Sequence, residues 1–299
     1  MCRRFLNAIG LLTVTFVVTG LGTAAPLAQG QTDQRGFIWK VERSGRTGWL
    51  VGSLHLLTPD AYPLPASMTA AFNNADTLME EVDSDELASP AFAAAVMARG
   101  LYQDGQSLED HVSPETFRLI VERGAAAGLP REVLRRMKPW MVSITLQGLE
   151  LQRGGFDPAL GLDLHFYQLA KRANKRFSAL ESGVEQVKYL ESTGPGLEDA
   201  LIRENLQSAE AEVNEVRKMA AAWRAGDDAT LEQVMLGSLK DAPGVYESLI
   251  VARNRNWMPK IQTCLDTARC FIVVGAGHLV GSDGLLAALR TRGYAVTQQ

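Results

Sequence analysis

Cysteine and histidine are scarce in this chain: three and four residues, respectively, in 299. Three cysteines cannot build a zinc ribbon or a disulfide-dense scaffold. No His-Glu-x-x-His helix, Walker loop or Gly-x-Ser-x-Gly elbow occurs. A net charge of -4 and a pI near 5.7 leave no basic footprint for nucleic acid. No repeat of 20 to 50 residues appears, and after about residue 30 no apolar run is long enough to span a bilayer. With 46% hydrophobic residues, the chain can still bury a large core.

The first 30 residues read as a secretory signal peptide. Arg3 and Arg4 form a positive start, Ala8–Gly22 is apolar, and Ala24, Ala25, Ala28 and Gly30 are small. The expected location is periplasmic or secreted, with membrane contact only through this segment if it stays uncleaved. Cleavage removes Cys2 and leaves Cys264 and Cys270, an even pair that predicts one disulfide in an exported protein.

Two stretches share one construction. Trp49-Leu50-Val51 leads into Gly52-Ser53-Leu54-His55, and Phe271 to Val274 leads into Gly275-Ala276-Gly277-His278. Each is a buried-strand pattern followed at once by Gly-x-x-His, which places a histidine just past a strand end. In open α/β sheets ligands bind at that edge. A third strand, Ala75 to Val82, ends in Glu80 and Glu81. Strand alternation sends these two to opposite faces, so only one is expected to point with the site. A fourth strand, Lys175 to Leu180, is closed by Glu181.

The remaining segments are mostly helical. Pro65 opens a helix to about Asn74, Ser113-Pro114 and Lys138-Pro139 start two more, and Asp163 is a candidate cap for a helix over Leu164 to Lys175. A helical tract to Ala225 carries Glu212 and Glu215, read as a solvated face. His111 is expected on the surface before a helix, His165 as structural, and Trp140 and Trp257 as core. A hairpin over Phe37 to Gly52 and a last strand, Tyr294 to Thr297, complete the pattern. The fold expected is α/β: a central mixed sheet built from N- and C-terminal segments. A mostly helical insertion with one central strand spans about residues 84–260 of a domain running from 31 to 299.

His55, Glu81 or Glu80, Glu181 and His278 thus supply two imidazoles and two carboxylates at strand ends. These are ligand types for catalytic Zn, Mn or Co. A serine hydrolase built on Ser53 is the rival chemistry, without the usual elbow sequence.

Taken together, the segments resemble the TraB/GumN family, which includes the animal Tiki proteins. The matching text includes Val51-Gly-Ser-Leu-His55, Leu78-Met-Glu-Glu81-Val-Asp83, Lys138-Pro-Trp140, Gly161-Leu-Asp163, Leu180-Glu181, Arg253-Asn-Arg-Asn-Trp257 and Val274-Gly-Ala-Gly-His278. Alignment through Val82-Asp83 selects Glu81 over Glu80. The resemblance implies an erythromycin-esterase-like and ChaN-like α/β fold and a metal-dependent, peptidase-like hydrolase acting on a peptide or protein. On that pattern His55, Glu81 and His278 hold a divalent metal (Mn, Co or Zn), Glu181 is a fourth ligand or the base, and Arg253 contacts substrate or transition state. The alternative implied by the likeness to ChaN is a haem- or small-ligand-binding protein on the same fold.

Overall fold

The computed structural model describes residues 35–103, 105–191, 198–240 and 243–299, so the expected signal segment at residues 1–30 lies outside the described residues. Six strands form one mixed sheet: β1 (Ile38–Arg43), β2 (Arg46–Ser53), β3 (Thr77–Glu80), β4 (Arg176–Ala179), β5 (Cys270–Gly275) and β6 (Ala295–Gln298). Their order is β4-β3-β5-β2-β1-β6. The four strands β4, β3, β5 and β2 run parallel, and β1 pairs antiparallel with both β2 and β6. As expected, the sheet joins the two ends of the chain, and β4 alone of these strands comes from the long helical interval.

Local chemistry explains the hairpin. Ser44 (φ 51°) and Gly45 (φ 77°) are both left-handed, the geometry that matches a two-residue turn to the twist of its flanking strands. β5 is buried along its whole length, as a parallel strand covered on both faces must be. On one face Phe271 packs against Phe166 and Phe72, with ring centroids 4.6 and 5.5 Å away. These rings come from the helices Leu162–Arg172 and Ala66–Asn74. The helix Ala252–Thr267 packs against β2 and β5.

Several boundaries differ from expectation. β3 is shorter than Ala75 to Val82, because Ala75 donates to the Phe72 carbonyl and closes the preceding helix. The tract ending at Ala225 is two helices, Glu198–Gln207 and Ala209–Ala225, parted at Ser208. Glu212 is not solvated: it is buried against Gln147, and burial raises its pKa to about 7. His111 is exposed and stacks on Tyr102, and His165 packs beside Tyr62 and Phe166, both in keeping with structural roles. No helix among the described residues is long and apolar enough to cross a membrane.

Cys264 and Cys270 form the expected disulfide, with Cα atoms 6.1 Å apart, between the end of a helix and the start of β5. Closing so short a loop is worth about 2 kcal/mol in the chain-entropy account. The Cys264→Ala/Cys270→Ala protein is expected to lose about that much stability in urea unfolding. Thiol labelling of the oxidised native protein should leave both positions unmodified, and labelling of both contradicts the bridge.

Candidate functional site at the carboxyl edge of the sheet

The site follows from strand direction. β2 and β5 are parallel neighbours with Ser53 opposite Gly275, so the two Gly-x-x-His loops leave the sheet side by side. β3 flanks β5 with Glu80 opposite Val273, and β4 flanks β3 with Ala179 opposite Glu80. His55, Glu81, Glu181 and His278 therefore all emerge from the C-terminal ends of adjacent parallel strands. Gly52 is required by crowding: a Cβ there would strike the Phe37 ring and come within 3.0 Å of the Ala276 backbone.

Arg253 is the hub of the inner half. Its side chain is 1% exposed. One Nη2 donates to Glu81 Oε2 at 2.7 Å and to Glu181 Oε1 at 2.7 Å, and Nε donates to Glu181 at 3.1 Å. The other terminal nitrogen, Nη1, reaches the Leu249 carbonyl at 3.3 Å and His278 Nε2 at 3.0 Å. Leu249 lies in a π-helical turn, Glu247–Val251, that runs directly into the helix carrying Arg253. Glu181 also accepts from Trp257 Nε1 at 2.9 Å, and the Trp257 ring lies 4.5 Å from the guanidinium and 4.4 Å from the His278 ring. Trp257 is thus core, as expected, and also a wall of the site.

The partners fix each protonation state. Arginine only donates, so His278 Nε2 accepts, and Nδ1 carries the proton toward Asn254 Oδ1 at 2.8 Å. Burial first, and then Arg253, push the His278 pKa down to about 3, so the ring is neutral. Glu81 is buried too, which alone would raise its pKa. Arg253 and the Gly275 N–H, 2.7 Å from Oε1, outweigh that and hold it below the usual carboxylate range. Glu181 goes the other way, because its burial outweighs Arg253.

His55 belongs to a different pair. Its Nδ1 lies 2.7 Å from Asp163 Oδ2, and Ser53 Oγ donates to Asp163 Oδ1 at 2.7 Å. Asp163 sits in the first turn of the helix Leu162–Arg172, so the expected capping role is corrected: its side chain turns to His55 instead of the helix end. Gly161 makes this approach possible, since a Cβ there would collide with the His55 carbonyl oxygen. Burial lowers the His55 pKa, but the Asp163 charge and hydrogen bond, with Glu81 behind them, raise it to about 9. Ser53 is buried and bonded to the acid rather than to the imidazole. That order is not the relay of a serine nucleophile, and the Ser53 rival loses its geometric basis.

A cavity of about 530 Å³ opens beside this edge, with His55, Glu80, Glu81, Asp163, Tyr167 and Gln186 in its wall. Glu80, the last paired residue of β3, and Glu81, just past it, both border the cavity, Glu80 with both carboxyl oxygens buried. Glu181, Arg253 and His278 stand behind the cavity lining, so the structure does not place Glu181 or Arg253 in direct view of a ligand. Asp163, Asn254 and Gln186 are the site residues that sequence reasoning missed. Asp163 and Asn254 had a signal, as parts of Gly161-Leu-Asp163 and Arg253-Asn-Arg-Asn-Trp257.

His55, Glu81 and His278 have the donor chemistry of a divalent metal site, and His278 Nε2 lies 3.9 Å from Glu81 Oε1. Yet among the described residues no three His, Cys, Asp or Glu side chains are grouped to hold an ion. Arg253 takes the Nε2 lone pair of His278 and one oxygen of Glu81 in this arrangement.

Comparison with known proteins places this geometry in context. A family model described as TraB/PrgY/gumN family matches residues 37–298. The chain is 26% identical over 250 residues to "Uncharacterized protein YbaP" of Shigella flexneri, covering 82% of this chain and 88% of that protein. It is likewise 26% identical over 246 residues to "Uncharacterized protein YbaP" of Escherichia coli strain K12, covering 81% and 87%. No solved structure matches the chain.

Two outcomes test this electrostatic arrangement. Arg253→Met strands Glu81 and Glu181 without a counter-ion, and urea unfolding should show a loss of about 3–5 kcal/mol. Arg255→Ala, at an exposed residue paired with Glu247, should change little. For His55, the folded pKa near 9 lies above the ordinary 6.5. Its stabilising contribution is whole below 6.5 and is lost as pH rises through 9. NMR titration of the metal-free protein should find the ring still charged at neutral pH, and Asp163→Asn should move its midpoint down and flatten that stability loss.

Proposed function

Since the chain belongs to the TraB/PrgY/gumN family, we propose that it is an exported, metal-dependent hydrolase of peptide or amide bonds. The observation that carries this reading is the meeting of both Gly-x-x-His loops and Glu81 at one sheet edge beside the cavity. In this reading His55, Glu81 and His278 would hold the divalent ion, Mn, Co or Zn. Such an ion, when bound, polarises a carbonyl and lowers the pKa of a bound water.

The chain's own groups have distinct tasks. Asp163 orients the His55 ring and keeps its Nδ1 occupied, which leaves Nε2 as the outward nitrogen. The Gly275 N–H and Arg253 keep Glu81 ionised. Asn254 fixes the His278 tautomer with Nε2 free of its proton, the form a metal ligand needs. Glu181 and Arg253 act from behind the cavity wall, Glu181 by orienting the guanidinium and Arg253 by balancing the charge of Glu81. Apolar wall residues Val82, Leu87, Ala88 and Leu164 suit a peptide segment. The disulfide supports export, because such bonds persist in oxidising compartments.

Metal analysis of purified protein, paired with digestion of a peptide library after loading with Mn²⁺, Co²⁺ or Zn²⁺, tests the proposal. Bound metal and turnover are expected, with both reduced about 100-fold or more in His55→Ala and in Glu81→Gln while the circular dichroism is retained. Full metal content and activity in His55→Ala, or haem absorbance with no peptide turnover, would overturn the hydrolase reading.

A further inference from the structure

Every acid in the cavity wall but one is answered by the protein. Glu81 is held by Arg253, Gly275 and Gln186, Asp163 by His55 and Ser53, and Asp85 by Lys171 at 2.7 Å. Glu80 is 1% exposed, and neither carboxyl oxygen has a hydrogen-bond partner among the described residues. The charged groups acting on it are Asp163, Asp83 and Glu81, all of its own sign. Burial first, and then these like charges, raise its pKa well above the ordinary carboxylate value. Two buried oxygens without a partner are costly in either protonation state, and an occupant of the adjoining space that donates to them and carries positive charge removes that cost.

The shape of the cavity narrows the occupant. Val82, Leu87, Ala88 and Leu164 give apolar wall along which a methylene stem can lie, while the acids gather at the strand end. The basic residues of the wall do not serve Glu80: His55 is paired with Asp163, Lys171 with Asp85, and Arg172 is exposed. A long side chain with an apolar stem and a cationic head matches both features.

We propose that Glu80 is a specificity-determining residue that receives the cationic head of a lysine or arginine side chain of the substrate, so that the cavity selects basic peptides. This deepens the hydrolase reading and rests on it for the word substrate; the cation site itself does not need turnover. A guanidinium or ammonium at Glu80 makes a charge-assisted hydrogen bond in a site of low solvent access.

The test measures binding to the mature protein by calorimetry. The probes are capped pentapeptides, acetyl-Ala-Ala-Xaa-Ala-Ala-amide, with Xaa as lysine, arginine, norleucine or glutamate. n-Butylguanidinium and n-butanol are titrated in parallel as side-chain probes. Lysine and arginine peptides should bind at least about tenfold tighter than the norleucine peptide. Both Glu80→Gln and Glu80→Leu should erase that preference without weakening norleucine binding. Glu80→Gln keeps the shape and should unfold at the same or higher urea concentration, which separates a binding loss from a folding loss. Equal binding of lysine and norleucine peptides by the wild type, or a preference that survives both substitutions, overturns the proposal. If no peptide binds but n-butylguanidinium binds in a Glu80-dependent way, the cation site stands and the peptide reading falls. If neither binds, the cation site itself is refuted.

Discussion

A single buried arginine organises the inner half of this site. Glu81 and Glu181 leave the ends of neighbouring strands, and their backbones are joined by a hydrogen bond from the Glu181 N–H to the Glu81 carbonyl at 2.8 Å. Two carboxylates so placed and so buried would repel each other. Arg253 binds both, and its remaining donor meets His278. The guanidinium fork suits this task because its donors lie in one plane at fixed angles, which a lysine ammonium cannot reproduce. The arrangement gains specificity more than net stability, since desolvating three charges offsets much of their attraction. It also sets a competition. A divalent cation using Glu81 and His278 would draw on the same lone pairs, so occupancy by metal and the present Arg253 contacts are alternative ways of satisfying one charge requirement.

The backbone makes that convergence possible. Parallel strands deliver all their C-terminal ends to one edge, so residues 223 positions apart (55 to 278) become neighbours through the β2–β5 ladder alone. The loops then need little length. The Gly275 N–H faces Glu81, and Gly161 lets a helix start against the His55 backbone. At Gly161, and at Gly52 where one histidine motif begins, the missing side chain is what allows the close contact.

Much of this was legible in the sequence. The paired Gly-x-x-His strands, the sheet built from both chain ends, the disulfide and the presence of Glu181 at a strand end follow from patterns of one or two elements. What was not legible depends on which face of an element meets which neighbour. Asp163 in the first turn of a helix looks like a cap, and only the tertiary approach of Gly161 to His55 turns it into an imidazole partner. Glu212 looks solvated among charged neighbours, yet its helix turns it onto Gln147. Alternation predicts that Glu80 and Glu81 part to opposite faces, but β3 ends at Glu80 and both residues border the cavity. Arg253 was expected at the cleft and is found buried beside it, holding Glu81 of the cavity wall together with Glu181.

The two histidines show how far a repeated motif determines chemistry. Both follow a glycine by three residues at the end of a parallel strand, yet one ring has its pKa raised to about 9 and the other lowered to about 3. Desolvation acts downward on both. The difference lies in what each ring meets: a carboxylate for His55, a guanidinium and an amide for His278. At neutral pH the His55 imidazole therefore holds protons on both nitrogens beside the cavity, and His278 keeps a lone pair on Nε2 behind it. A divalent ion held by both histidines would require a proton to leave His55 and Arg253 to yield its hold on His278, two costs that fall on different halves of the site. The backbone motif supplies position; the second residue touching each ring supplies its chemistry.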